Sequence, residues 1–138
     1  MSETLIAPAP ERRAVSPTLA MLAAWAVPGL GHALLRRWGR ACAIFAAVAG
    51  LAVTGYVARG VVFPIHLHDF RADPLTFLGG IGDAGSGIFY ALAGVLEKAG
   101  ADVSRAAGDY GTRFIAAAGV ANFLCAADAY EIASGRKE

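Results

Sequence analysis

An all-α bundle embedded in lipid is the fold class this sequence predicts, and three observations predict it. Apolar runs of roughly twenty residues recur along the chain, about the length a helix needs to cross the hydrocarbon of a bilayer. Charged residues make up 17% of the 138 positions against 57% hydrophobic, with a mean hydropathy of +0.52. A soluble domain carries about a quarter charged residues, so the deficit points to lipid. Third, the first two runs are joined by a tight basic turn, Arg36-Arg37-Trp38-Gly39-Arg40. The expectation is an integral membrane bundle of four transmembrane segments, the first kinked and the third irregular.

The length allows one domain. Net charge is +1 and no basic patch is interleaved with aromatics, which speaks against a nucleic-acid partner. Cys42 and Cys125 both fall inside apolar runs, where a cysteine is a small packing residue, and their spacing indicates no disulfide framework.

Residues 1–16, with Pro8 and Pro10 and mixed charge, read as a disordered or surface tail. Arg12-Arg13 precede an apolar run as the start of a signal peptide would. That run continues past Pro28 without a small-x-small site, so it reads as a retained span. The membrane domain covers 17–133. Ser16-Pro17 is a good helix entry, a capping residue before a proline whose missing donor is not needed. The first span, 18–35, contains Pro28, which removes the bond to the Ala24 carbonyl. In lipid that carbonyl needs another donor. Stopping at Val27 would leave 11 residues from Pro17, too few to cross, so the alternatives are a kinked span and a broken, partly re-entrant one. Pro28, Gly29, Gly31, His32, Arg37 and Gly39 form a structural hairpin, with a packed neighbour expected at Gly29 and Gly31 from the second or fourth span.

In the turn, the arginines reach head groups and the indole of Trp38 suits the interface. The second span, 41–62, repeats Ala46, Gly50 and Thr54 every four residues, a smooth face for helix contact. Residues 63–73 alternate apolar and polar and read as a loop on the membrane surface. Asp73-Pro74 opens the third segment, 75–96. It is rich in glycine and sets Asp83 on one face with Gly79, Gly87 and Ala91. It reads as a span, with a broken helix as the alternative. A polar loop, 97–113, precedes the fourth span, 114–133. There Ala118, Asn122, Cys125 and Ala129 form a small and polar stripe with Asp128 at its edge. Residues 134–138 are a short charged end. Threading four spans leaves six basic residues on each side, so the positive-inside rule does not orient the chain. A short tail without a signal starts inside, which predicts both termini in the cytoplasm of an inner-membrane protein.

His66-Leu67-His68-Asp69 is the nearest approach to a metal site, since alternate residues of an extended strand point the same way. A metal needs three or four ligands, and only Asp69, Asp73 or His32 could join the two imidazoles. A polar interfacial loop is therefore favoured over metal binding by His66, His68 and Asp69. Asp83 is the sharper candidate, because an ionisable group at membrane depth is expensive and reads as functional. It could hold a proton or cation, or anchor a partner's arginine, with Asn122 and Asp128 completing an intramembrane polar cluster. His32, after the kink, reads as structural. Ser86 lies in Gly85-Ser86-Gly87 without the strand and helix of a nucleophile elbow. No catalytic residue and no cofactor is expected, and the protein reads as a non-enzyme.

Trp25 to His32 with the basic turn resembles an uncharacterised family of small bacterial multi-pass membrane proteins with a Pro-Gly-x-Gly-His hairpin. Further shared stretches are Asp73-Pro74-Leu75 with Phe77-Leu78, Tyr110 to Thr112, and Asp128 to Arg136. The hairpin is also distantly similar to the two-transmembrane-segment domain, although Ala33 and Leu34 stand where that pattern has aromatics and Arg36 where it has glycine. The resemblance implies topology and a bacterial origin, and no activity. The functional expectation is a structural or accessory subunit in the lipid bilayer, packing with other membrane proteins or as a homo-oligomer. The alternatives are an ion or small-solute transporter component using Asp83, and a metal-binding protein or enzyme using His66 and His68.

Overall fold

The computed structural model describes residues 15–58, 60, 62–63, 74–96 and 106–137. Six helices occur among them: α1 (Pro17–Ala26), α2 (Leu30–Leu34), α3 (Trp38–Val57), α4 (Pro74–Ala84), α5 (Ile88–Leu96) and α6 (Ala106–Ala133). The described residues contain no strand.

Two long helices form the spine. Trp38–Val57 and Tyr110–Ala133 are each long and apolar enough to cross a membrane. They run antiparallel. Gly55 near the end of α3 packs on Gly111 and Ile115 near the start of α6, while Arg40 at the start of α3 reaches Asp128 near the end of α6 at 3.9 Å. Val48, Ala52 and Ala118 fill the seam between them. The buried residues of α3 are Ala41, Val48, Ala52 and Gly55, spaced so as to return to one side of the helix. The face expected to make helix contacts, Ala46, Gly50 and Thr54, is instead exposed. A close backbone approach at Gly55 decides the rotation of α3, because a Cβ there would meet the Gly111 carbonyl at 2.7 Å.

The first apolar segment is not one kinked helix. It breaks after Ala26 and reverses. Gly29 takes a left-handed φ of +82°, Leu30 bonds back to the Val27 carbonyl at 2.9 Å, and α2 then returns alongside α1. Gly31 lies against the Ala20 carbonyl, with Ala24 and Ala129 flanking it. Gly29 lies against the Ala41 carbonyl of α3. The close neighbours of the two glycines thus come from α1, α3 and α6. At ten residues, α1 is about 15 Å long, half the hydrocarbon thickness of about 30 Å.

The third segment also reverses. Its levels can be read along α6: Gly82 lies opposite Ala116, and Gly85 opposite the Gly119 carbonyl and Phe123. Leu92 and Ala93 of α5 then border Ile115 again, together with Val53 and Tyr56 from the end of α3. The break is the turn Gly85-Ser86-Gly87, in which Gly87 has φ +61°. The chain therefore presents two antiparallel full-length helices and two half-length helical hairpins. The tip of each hairpin reaches the level of Asn122, near the middle of the spine, from opposite ends.

α6 begins at Ala106, not near Phe114. Its first turns continue through sequence that reads as polar loop because Gly111 packs against the backbone of Gly55 and Gly60. Conversely α3 stops at Val57, short of residue 62, where Gly60 folds back to bond the Gly55 carbonyl at 2.9 Å.

Size is distributed inside out. Of nine buried hydrophobic residues among those described, seven are alanine, whereas Leu75 and Val57 are 80% and 74% exposed. Small residues at helix contacts with bulky apolar ones facing outward is the pattern of helices packed in lipid, where no hydrophobic force drives large side chains inward.

Candidate functional site

Broken helices leave main-chain groups without helical partners, and away from water those groups must be satisfied by protein. The hairpin tips meet this demand by facing each other across Asn122. Its side-chain amide donates to the Trp25 carbonyl of the first hairpin at 2.9 Å and to the Gly85 carbonyl of the second at 2.9 Å. The Trp25 indole donates to the Ala84 carbonyl at 3.1 Å. Gly87 sits against the Trp25 and Ala26 carbonyls, at a position where a Cβ would collide with both. The donor demanded by the break at Pro28 thus comes from α6, and it serves Trp25, the neighbour of Ala24. Asn122 is fully buried, and among the described residues its Oδ1 has no hydrogen-bond partner.

Asp83 is two residues before this tip and is also fully buried. Its Oδ2 accepts from the Phe63 main-chain N–H at 2.7 Å, and the ring of Phe63 covers Gly79. The carboxylate therefore ties the chain leaving α3 to the entry arm of the second hairpin. Ser86 donates its hydroxyl to the Asp83 carbonyl at 2.6 Å, which closes the turn.

Asp128 lies apart from Asp83 and Asn122. It is the centre of a charged cluster at the end of the spine where α3 begins and α6 finishes. His32 Nε2 is 3.0 Å from Asp128 Oδ2, and His32 is fully buried while the Asp128 side chain is 25% exposed. Lys137 bonds the other carboxylate oxygen, and Arg40 stands at 3.9 Å. The carboxylate raises the Lys137 pKa above its ordinary value through that hydrogen bond and the opposite charge. The His32 side chain links the returning arm of the first hairpin to α6. Of the other hairpin residues, Pro28 is buried, Arg37 precedes α3 as its cap position, and Gly39 has no neighbour that a side chain would meet.

Sequence reasoning grouped Asp83, Asn122 and Asp128. The structure brings the first two to the hairpin tips and gives the third to His32. Trp25, Arg40 and Lys137 were not singled out. The signal for Trp25 was an indole N–H in an apolar run, which needs a partner when it leaves water. His66, His68 and Asp69 lie outside the described residues. Among the described residues no group of three metal-ligating side chains occurs, and Cys42 and Cys125 are free.

A family model, that of a family of unknown function (DUF6677), matches residues 19–138 of this chain. No curated protein and no solved structure is significantly similar to it.

Proposed function

The chain belongs to this family of unknown function, DUF6677, and from that premise we propose that it is a non-enzymatic, multi-pass membrane protein serving as a subunit of a membrane assembly. In this reading α3 and α6 cross the bilayer, and the two hairpins enter it from opposite faces without crossing. The alanine-lined interior and the bulky apolar exterior support the placement in lipid. With two crossings, seven basic residues (Arg12, Arg13, Arg36, Arg37, Arg40, Arg136 and Lys137) thread to one side and five to the other. The positive-inside rule then puts both termini in the cytoplasm, in keeping with a bacterial inner membrane.

One observation carries the assembly reading: among the described residues the small-residue face of α3, Ala46, Gly50 and Thr54, is exposed, and no described residue stands within 4 Å of a Cβ at Gly50. The Thr54 hydroxyl is already bonded to the Gly50 carbonyl at 2.7 Å, so the strip needs no water. Small strips of this kind let helices of separate chains approach closely. Cross-linking and native mass spectrometry in mild detergent test it. An oligomer or a co-purifying membrane protein is expected, and monomer alone in native membrane extracts overturns the reading.

A second reading, transport of an ion or small solute with Asp83 in the path, is favoured by the meeting of two half-length hairpins at mid-depth. Discontinuous helices at the bilayer midplane are where transporters bind substrates and coupling ions. Wild-type protein in proteoliposomes should pass a flux that Asp83→Asn loses. A wild type that passes none over a panel of ions and small solutes ends this reading.

A further inference from the structure

We propose that the junction of the two hairpin tips is a binding site for a monovalent cation, built from main-chain oxygens and the side-chain oxygen of Asn122. The inference rests on the re-entrant reading of both hairpins and deepens the transport reading.

Oxygens converge on the junction from three parts of the chain. The first hairpin brings the carbonyls of Trp25 and Ala26, which face Gly87. The second brings the carbonyl of Gly85, and α6 brings Asn122. Donors are fewer. The Asn122 amide spends its two N–H groups on Trp25 and Gly85, and the Trp25 indole is committed to Ala84. That leaves Asn122 Oδ1, fully buried and unpartnered among the described residues, in the same amide plane whose nitrogen touches both carbonyls. Each carbonyl also has a second lone pair.

A buried acceptor without a donor costs about 1–3 kcal/mol. A cation removes that cost, as it does where rings of carbonyl oxygens replace an ion's hydration shell. The donor set selects the class of ion. Neutral amide and carbonyl oxygens suit a hard cation, and softer metals call for thiolate or imidazole, which the junction lacks. Divalent ions draw on several carboxylates. Here the adjoining end of α4 supplies one, Asp83, whose Oδ2 accepts from the Phe63 amide. Sodium, potassium and ammonium are the candidates.

The full chain, purified in mild detergent, is unfolded thermally in sodium, potassium, ammonium or choline chloride at equal ionic strength. Binding of radioactive sodium, and its displacement by the other salts, is measured in parallel. At least one small cation should raise the midpoint over choline in a saturable way. Asn122→Leu should weaken that binding about tenfold or more, the equivalent of one lost contact of about 1.4 kcal/mol. Asp128→Asn, at the far cluster, should leave it unchanged. Should Asn122→Leu fail to fold, Asn122→Asp serves instead: a carboxylate held against two carbonyls makes folding depend on the cation at pH 8. Equal midpoints in all four salts overturn the site, and so does a cation effect that survives Asn122→Leu or is unaltered in Asn122→Asp. Accessibility of single cysteines from the two faces of sealed vesicles tests the hairpins separately. A correct topology without cation binding overturns the site alone, and a hairpin that crosses the membrane overturns the re-entrant reading with it.

Discussion

The two hairpins solve the same problem with different materials. Both turn the chain back near the level of Asn122, and both use a glycine with positive φ to do so, Gly29 in one and Gly87 in the other. The first hairpin is packed along both arms, with Leu19, Leu22, Leu30 and Leu34 facing outward. Its short return arm α2 is wedged between α1, α3 and α6 by Gly31 and held at its base by the His32–Asp128 pair. The second is closed only along its entry arm, where Gly79, Gly82 and Gly85 fit α4 to Phe63 and α6. Its return arm α5 leans on α3 through a tilted Phe45–Phe89 ring pair, centroids 6.0 Å apart. An apolar groove remains beside it, lined by Val53, Tyr56, Leu92 and Ile115 among others. The difference is one of attachment: the first hairpin is packed along both arms, the second mainly along its entry arm.

The largest effect should come from filling the wedge. Gly31→Leu drives a side chain into the Ala20 carbonyl and two alanine methyls, an overpacking of roughly 3 kcal/mol or more. Gly94→Leu on α5, where a Cβ meets nothing within 4 Å, should fold normally. Thermal unfolding of both in the same detergent checks the contrast, and equal losses would erase the distinction between the hairpins.

Next comes the link between the tips. Asn122→Ala leaves the Trp25 and Gly85 carbonyls without their donor and should cost roughly 2–3 kcal/mol. Limited proteolysis should detect opening of the second hairpin before the first, since His32 still holds the latter.

A smaller effect of opposite sign is expected at the end of the first hairpin. Arg36 adopts a left-handed φ of +62°, a conformation that costs a residue with a Cβ roughly 1–2 kcal/mol. Arg36→Gly should raise the unfolding midpoint by about that much, and a loss of stability would show that the guanidinium contributes more than the backbone strain removes.

The smallest concerns pH. The Lys137 pKa is raised in the folded chain by Asp128, so its contribution is fully present below the ordinary lysine range. It fades as pH rises through the raised value. Lys137→Met should lower stability across the neutral region slightly and flatten the alkaline limb, so that the two profiles converge above the raised value.

Much of the local structure was legible in residues 17–40. A proline followed by two spaced glycines forbids a straight helix, and the arithmetic of 11 residues before the break already admitted a re-entrant arm. The irregularity of the third segment was legible in its glycines, and of the Ala118, Asn122, Cys125 and Ala129 stripe of α6 all are buried but Cys125, which is half-buried. The outward-facing side of α3 was not. Ala46, Gly50 and Thr54 carry the same pattern as a contact face, and only the approach of Gly55 to Gly111 chooses between the two sides. The separation of Asp128 from Asn122 was equally hidden, because its partners His32 and Lys137 come from the return arm α2 and from beyond the end of α6.

By itself the sequence determined that the chain is helical and suited to lipid, where it breaks, and which polar groups it carries into apolar surroundings. These follow from composition, from the missing donor and fixed φ of proline, and from the freedom of glycine. Only the tertiary structure decided that the first and third segments turn back instead of continuing. An apolar run of about twenty residues has the same composition either way. The direction after each break depends on which backbone the exposed carbonyls and glycines meet. Here they meet each other, across Asn122.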